Sequence, residues 1–254
     1  MARRSRSTRH ISRSARLGIS VALAAVASVG SLVGVAGASP TLSDTAIAGV
    51  INVTNADLPA PSTWSGSAQT PNTATEVALA QQALRCISAK TGTISPDAFG
   101  TVGGKGGIVT TDVESLIFSK KGTATGLPEV SSDVDLLTTS SQASRDLVAF
   151  GRKVDLPCLT ALIANVTSGV TGEKGAVTSS FMSIPHHGTG NGGVGIRFAI
   201  SGVGLSGPLI DDAYFYVEGR AEISLAFTNV STPFQAAEAN AIAARVMARA
   251  KAHI

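Results

Sequence analysis

Two cysteines, Cys86 and Cys158, are the only thiols in the 254 residues, and they constrain the chain more than any other feature. Whether they are joined depends on the compartment, because structural disulfides persist outside the reducing cytosol. The first 38 residues bear on that question. Positions 1–16 carry six arginines (Arg3, Arg4, Arg6, Arg9, Arg13 and Arg16) and no acid. The next 22, LGISVALAAVASVGSLVGVAGA, carry no charge and end in Ala36-Gly37-Ala38 before Ser39-Pro40. A basic start, an apolar run and small residues at the −3 and −1 positions form the pattern of a secretory leader. A run of that length could also remain as an anchor across a bilayer of about 30 Å. Its four glycines and three serines and the cleavage-site ending favour removal. Either way the remainder lies on the outer side of the membrane. No cysteine follows the run, which argues against a lipid-anchored form. In an oxidising compartment the lone pair Cys86 and Cys158 is most simply a disulfide. It would close a loop of about 73 residues, worth roughly 4 kcal/mol of chain entropy. A redox pair would call for CxxC-like spacing, which the sequence does not have.

Removing the leader changes the charge. The whole chain has 20 basic and 17 acidic residues, net +3. Six of the basic residues leave with positions 1–38, so residues 39–254 keep 14 against 17 acids, net −3. The high isoelectric point therefore belongs to the leader, and a weakly acidic domain offers no basic stripe for nucleic acid. What remains is long enough for one domain with a real core. Aromatic residues are 4% of the chain, so that core must rest on Val, Ile, Leu and Ala.

The pattern divides the chain into a signal peptide over 1–38, a Ser/Thr/Pro-rich lead-in over 39–72 and an α+β domain over 73–254. Within the lead-in, one strand is expected near Ile47–Val53. Thr73-x-x-Glu76 is a capping box, and Val77, Ala80, Leu84 and Ile87 recur at helical spacing, predicting a helix over 74–89 that carries Cys86. Five glycines in residues 100–107 mark a loop. Strands are expected at 108–119 and 134–138, followed by helices at 142–151 and from Cys158 to about 165. The C-terminal third then reads as strands at 176–184, 194–202, 213–218 and 221–228, the last two forming a hairpin about Gly219. Thr232-Pro233-x-Gln235 supplies an N-cap, a proline at N1 and a capping-box partner for a final helix. Ala236, Ala239, Ala243, Val246 and Ala250 give that helix a flat face. The expectation is a single α+β domain, mostly antiparallel sheet flanked by helices, with one disulfide.

Chemistry-bearing motifs are sparse. His10 leaves with the leader and His253 is next to last, so histidine chemistry rests on His186 and His187. A metal site combining them with Asp211-Asp212 is conceivable. Adjacent side chains on extended backbone diverge, however, and a polar turn explains the segment equally well. Gly188-x-Gly190-x-x-Gly193 matches the dinucleotide fingerprint in letters only, because VGIRFAI after it is a strand and the motif requires a helix. Gly104-Lys105-Gly106 lacks the spacing of a phosphate loop, and no serine sits in a GxSxG elbow. Asp133 and Asp135 share one face of a strand, read as an exposed polar face. With no nucleophile, base and orienting group together, the expectation is a protein that is not an enzyme and has no cofactor and no metal.

The order of elements carries a resemblance. Asp57-Leu58-Pro59 with Trp64, a helix with Cys86, a strand at 108–118, Val134-x-Leu136 with Ala143, a helical region reaching Cys158-Leu159, a Gly219-Arg220 hairpin and Pro233 before an alanine-rich helix follow one another. Over residues 45–252 this layout resembles the extracellular sensor-like domains of actinobacteria, typified by the domain outside the receptor kinase PknH, and related envelope lipoproteins. The resemblance implies a secreted or cell-envelope binding module with a cleft for a small envelope ligand or an envelope protein. The family's kinase sensor carries a second disulfide, which two cysteines cannot supply. Tyr214, Tyr216, Arg197 and Arg220 are the candidate ligand-lining residues, with the tyrosines on an exposed sheet face and Phe215 and Val217 toward the core. The bland alternative has the tyrosines merely covering sheet. Rival functions are a cell-envelope hydrolase using His186 or His187 and a structural envelope protein without ligand. Contact with a membrane is expected only if the leader is retained.

Cleavage after Ala38 is the expected processing step. N-terminal sequencing of secreted protein should begin at Ser39, and an intact Met1 in the membrane fraction would favour the anchor.

Overall fold

The period-two pattern of the C-terminal third builds a single eight-stranded sheet in a computed structural model that describes residues 42–69, 74–91, 109–123, 127–171, 175–187, 192–202, 204 and 206–254. The leader, the Thr73 cap, the 100–107 glycine run and residues 188–191 lie outside the described residues. The strands are β1 (Trp64–Ser67), β2 (Val109–Glu114), β3 (Ile117–Lys120), β4 (Glu129–Leu137), β5 (Ala176–Met182), β6 (Gly193–Ser201), β7 (Leu209–Glu218) and β8 (Ala221–Val230). Their order is β1-β3-β4-β8-β7-β6-β5, with β2 also on β4 and every pairing antiparallel. β2 and β3 lie end to end along one edge of β4, where a single strand over 108–119 was expected. Ser115 marks the break: its N–H donates to Ser132 O at 2.9 Å, and its Oγ accepts from Ser132 N at 2.8 Å.

Helices cover both faces. On one lie α2 (Ala74–Thr91), α3 (Ser140–Phe150) and α4 (Leu156–Thr171), over a core that includes Leu137, Leu147, Phe150, Ile163, Phe198 and Phe215. Cys86 on α2 and Cys158 on α4 are disulfide-bonded with Cα atoms 5.9 Å apart, as the lone pair required. On the other face lie α1 (Asp44–Ile51) and α5 (Ala236–His253), over Val134, Tyr214, Ile223, Phe227 and Val246. Of the small-residue face expected for α5, Ala239, Ala243, Val246 and Ala250 are buried, while Ala236 in the first turn is exposed. Among the described residues, no helix is long and apolar enough to cross a membrane.

The lead-in differs most from expectation. Residues 44–67 are built into the domain: Ile51, Val53, Leu58 and Trp64 are buried in the core and β1 extends the sheet. The strand expected near Ile47–Val53 is α1. Ser43 caps it by accepting from Ala46 N at 3.2 Å, and Ala48 and Ile51, three residues apart, turn to the core together. α5 begins later than Thr232 implied, with Gln235 at the N-cap and no side-chain cap. Phe234 explains the delay, since it is buried against Phe227 at 5.3 Å and Trp64 at 6.4 Å before the helix can turn.

A guanidinium pins this lead-in to α5. Arg249 donates to Asp57 Oδ1 and Oδ2 at 2.7 and 2.8 Å and to the carbonyls of Asn52 and Ile51 at 2.8 and 3.2 Å, while Arg245 donates to Asp57 O at 2.7 Å. Burial pushes the Asp57 carboxyl up, but the bonds from Arg249 and Thr54 outweigh it and hold the pKa below the ordinary value. Removing one partner of a buried pair leaves an uncompensated charge, so Arg249→Met should cost about 3–5 kcal/mol in chemical denaturation. Unchanged stability would show the clamp to be idle.

Candidate functional site

β4 reads EVSSDVDLL, and alternation sends its side chains to opposite faces. Val130, Val134 and Leu136 join the core beneath α1 and α5. Asp133 and Asp135 therefore turn to the face carrying α2–α4. They share a face as the sequence implied, but it is not an exposed one: they are 7% and 9% exposed. Register surrounds them with further acids. On β2, Asp112 stands opposite Asp135 and Glu114 opposite Asp133, and on β8 Glu222 stands opposite Asp135 from the other side. From α3, Asp146 comes close enough to Glu222 to share a proton with it when one of the two is protonated, and it accepts from Gln142 Nε2 at 2.7 Å. Like charges directly opposite on neighbouring strands repel, so this concentration is unfavourable unless protons or a cation intervene.

The carboxyls respond to that environment. Burial raises Asp112 to about 6, and burial with the neighbouring Asp112 charge raises Glu114 to about 7. Burial first, and then the adjoining carboxylates, push Asp133, Asp135 and Glu222 well above their ordinary range. Burial likewise raises Asp146 to about 6 against the opposing pull of Gln142, Glu222 and Arg145. Both oxygens of Asp112 and one each on Asp133, Asp135, Asp146 and Glu222 are buried without a hydrogen-bond partner. A bond between Asp112 and Asp133 exists only when one of them keeps its proton. The ion pairs formed among the described residues, Arg197–Asp212, Arg220–Asp44 and Arg249–Asp57, all lie elsewhere. One oxygen each from Asp112, Asp133 and Asp135 lies within 4.8 Å of the other two, a spacing suited to a shared ion.

The residues expected to line a ligand site are placed differently. Tyr214 and Tyr216 share a face, and Phe215 and Val217 face the other core, as alternation demands. The tyrosines are not exposed, however: at 2% and 1% they are buried on the face that carries α1 and α5, with Tyr214 packed 5.0 Å from Phe227. The reason is that β7 is closed on both sides, so alternation there separates two cores and not core from solvent. Arg197 forks onto Asp212 at 2.6 and 2.8 Å, and Arg220 pairs with Asp44 and reaches Thr110 and Leu137 O. Both arginines are thus engaged in holding elements together, and the four residues do not converge on one cleft. His186 is exposed, and His187 lies tilted against Tyr216 with ring centres 5.8 Å apart, on the opposite face from the acids. The pairing of these histidines with Asp211-Asp212 does not form, because Asp212 is taken by Arg197 and Asp211 accepts from Thr228 Oγ1 at 2.8 Å on the other face.

Asp112, Glu114, Asp146 and Glu222 escaped the sequence reading. Asp112-x-Glu114 and Asp133-x-Asp135 repeat one acidic period-two pattern, which was the available signal, but only register brings them together. The raised pKa values carry a sign. The folded protein keeps protons between pH 4 and 7 that the unfolded chain has released, so stability falls as pH rises through that window. The lowered carboxyls Asp44 and Asp57 act oppositely, and only below about pH 4. In buffer without polyvalent cations, the protein should melt higher at about pH 5 than at about pH 7.5, and Asp133→Asn should flatten that difference and add roughly 1–3 kcal/mol at the higher pH. A melting temperature that rises across this window would contradict the placement of the acids.

No protein-family model matches the chain, and no curated protein sequence is similar to it. Among solved structures, it is similar to the extracellular domain of PknH from Mycobacterium tuberculosis, with a TM-score of 0.36 and 13% identity over 58% of this chain and 68% of that one. That domain belongs to the group whose element order the sequence resembles, and a likeness this slight transfers neither site nor ligand.

Proposed function

We propose that the chain is an exported, non-catalytic binding module of the cell envelope that captures a cationic group on the carboxylate-bearing part of its sheet. The supporting observation is an imbalance of charge. Six acids from β2, β4, β8 and α3 meet in a largely buried patch to which none of the ion pairs formed among the described residues extends. Neighbouring hydroxyls widen the chemistry on offer, since Ser131 and Ser224 line a small hollow beside Asp133 together with Ala213 and Phe215. Burial strengthens each carboxylate's attraction for a cation, because less water competes for it. The disulfide fits the oxidising compartment that the leader implies.

A hydrolase built on His186 or His187 would need an acid beside the imidazole, and the acidic patch lies across the sheet from them. The binding reading is tested by titrating the purified, disulfide-bonded protein with spermidine, glucosamine and Ca2+ near neutral pH while following its melting temperature. At least one should raise it saturably, and Asp133→Asn/Asp135→Asn should abolish the rise. If none does, the reading falls.

A further inference from the structure

We infer that Asp112, Asp133 and Asp135 together hold one hard divalent cation, and that Ca2+ is the ion suited to them. The inference deepens the binding reading above and rests on it. Its first support is spacing. Oxygens around Ca2+ lie at about 2.3–2.6 Å, so any two are at most about 5 Å apart. One oxygen from each of the three aspartates already meets that limit, all within 4.8 Å of one another.

A separate observation comes from Asp112 alone. It is 6% exposed, and neither of its oxygens accepts a hydrogen bond from a donor outside the acidic patch. Three other buried carboxylates are engaged: Asp57 takes Arg249 and Thr54, Asp212 takes Arg197, and Asp211 takes the Thr228 hydroxyl. Asp155 is also buried with both oxygens unpartnered, but it has the charges of Lys90 and Arg152 nearby. An ionised side chain in the position of Asp112 is strongly disfavoured unless something positive meets it.

Donor chemistry then selects the ion. The three ligands are all carboxylate oxygens, both cysteines are consumed in the disulfide, and His187 lies on the other face. Oxygen-only sites suit calcium and magnesium, whereas zinc and copper favour imidazole or thiolate. Strand-borne carboxylates give an irregular set, which calcium accepts and magnesium tolerates poorly. Glu114 and Glu222, opposite Asp133 and Asp135, border the site. The competing arrangement is a proton shared between Asp112 and Asp133, with no metal at all.

Equilibrium dialysis of the purified, disulfide-bonded protein near neutral pH against Ca2+, Mg2+, Zn2+ and spermidine separates these outcomes. One Ca2+ should bind per chain, and at a hundredfold excess over Kd the melting temperature should rise by about 5–10 °C. Asp112→Asn and Asp133→Asn should each weaken binding at least about tenfold, the scale of one lost charged contact. Asp211→Asn, buried on the same face but outside the trio, should leave it unchanged. Circular dichroism verifies that each variant is folded, and Asp135→Asn serves if one is not. Saturable spermidine binding without Ca2+ binding would overturn the ion and leave the binding module standing. Failure of every cation would overturn both and leave the shared proton. Ca2+ binding indifferent to Asp112→Asn and Asp133→Asn would refute the assignment of ligands.

Discussion

β7 is buried along all ten of its residues, and much of the structure follows from closing both of its sides. A strand in that position must have a helical layer above and another below, because water can satisfy neither face. α3 reaches it from one side and α5 from the other, giving two apolar cores separated by the thickness of the sheet. Any charge carried so deep must find its counterpart nearby. Asp212 meets Arg197, and its neighbour Asp211, on the opposite face, meets a threonine hydroxyl. The same rule holds where α1 and the residues after it are fastened, with Arg220 on Asp44 and Arg249 on Asp57.

Against that regularity the acids of β2, β4 and β8 stand apart. Asp112, Asp133 and Asp135 are nearly as buried as Asp57 and Glu114 and Glu222 are half-buried, yet they face one another and not a guanidinium. Selection for stability alone would put Ser, Thr or Asn in such positions, where hydrogen bonds could be exchanged without charge. Six ionisable groups in one patch impose a standing cost that other interactions in the fold must offset. Sites of that kind are where function is sought, because a ligand can recover the energy that folding gave up.

What the sequence disclosed depended on whether a feature was local. The helical spacing of Val77, Ala80, Leu84 and Ile87, the alternation around Gly219 and the alanine face of α5 are local patterns, and each produced an element close to its expected place. The disulfide was also accessible, because two cysteines admit one pairing. Ile47–Val53 misled because a β-branched run and a helical pair at Ala48 and Ile51 compete, and contact with α5 decides between them. Burial of Tyr214 and Tyr216 was hidden for a related reason: alternation shows which residues share a face and is silent on what covers it. The acidic patch depended on register across β2, β4 and β8, which is a property of the assembled sheet.

The break between β2 and β3 has a consequence for how the sheet meets other chains. An uninterrupted strand of ten or more residues along β4 would present a long, regular row of backbone donors and acceptors to any passing extended chain. Here that border is broken at Ser115: β1 covers β3, and the six-residue β2 beyond the break carries Asp112 and Glu114. Short, bent and charged borders resist edge-to-edge association between sheets. The residues that crowd negative charge into the patch thus also guard the rim of the sheet against polymerisation.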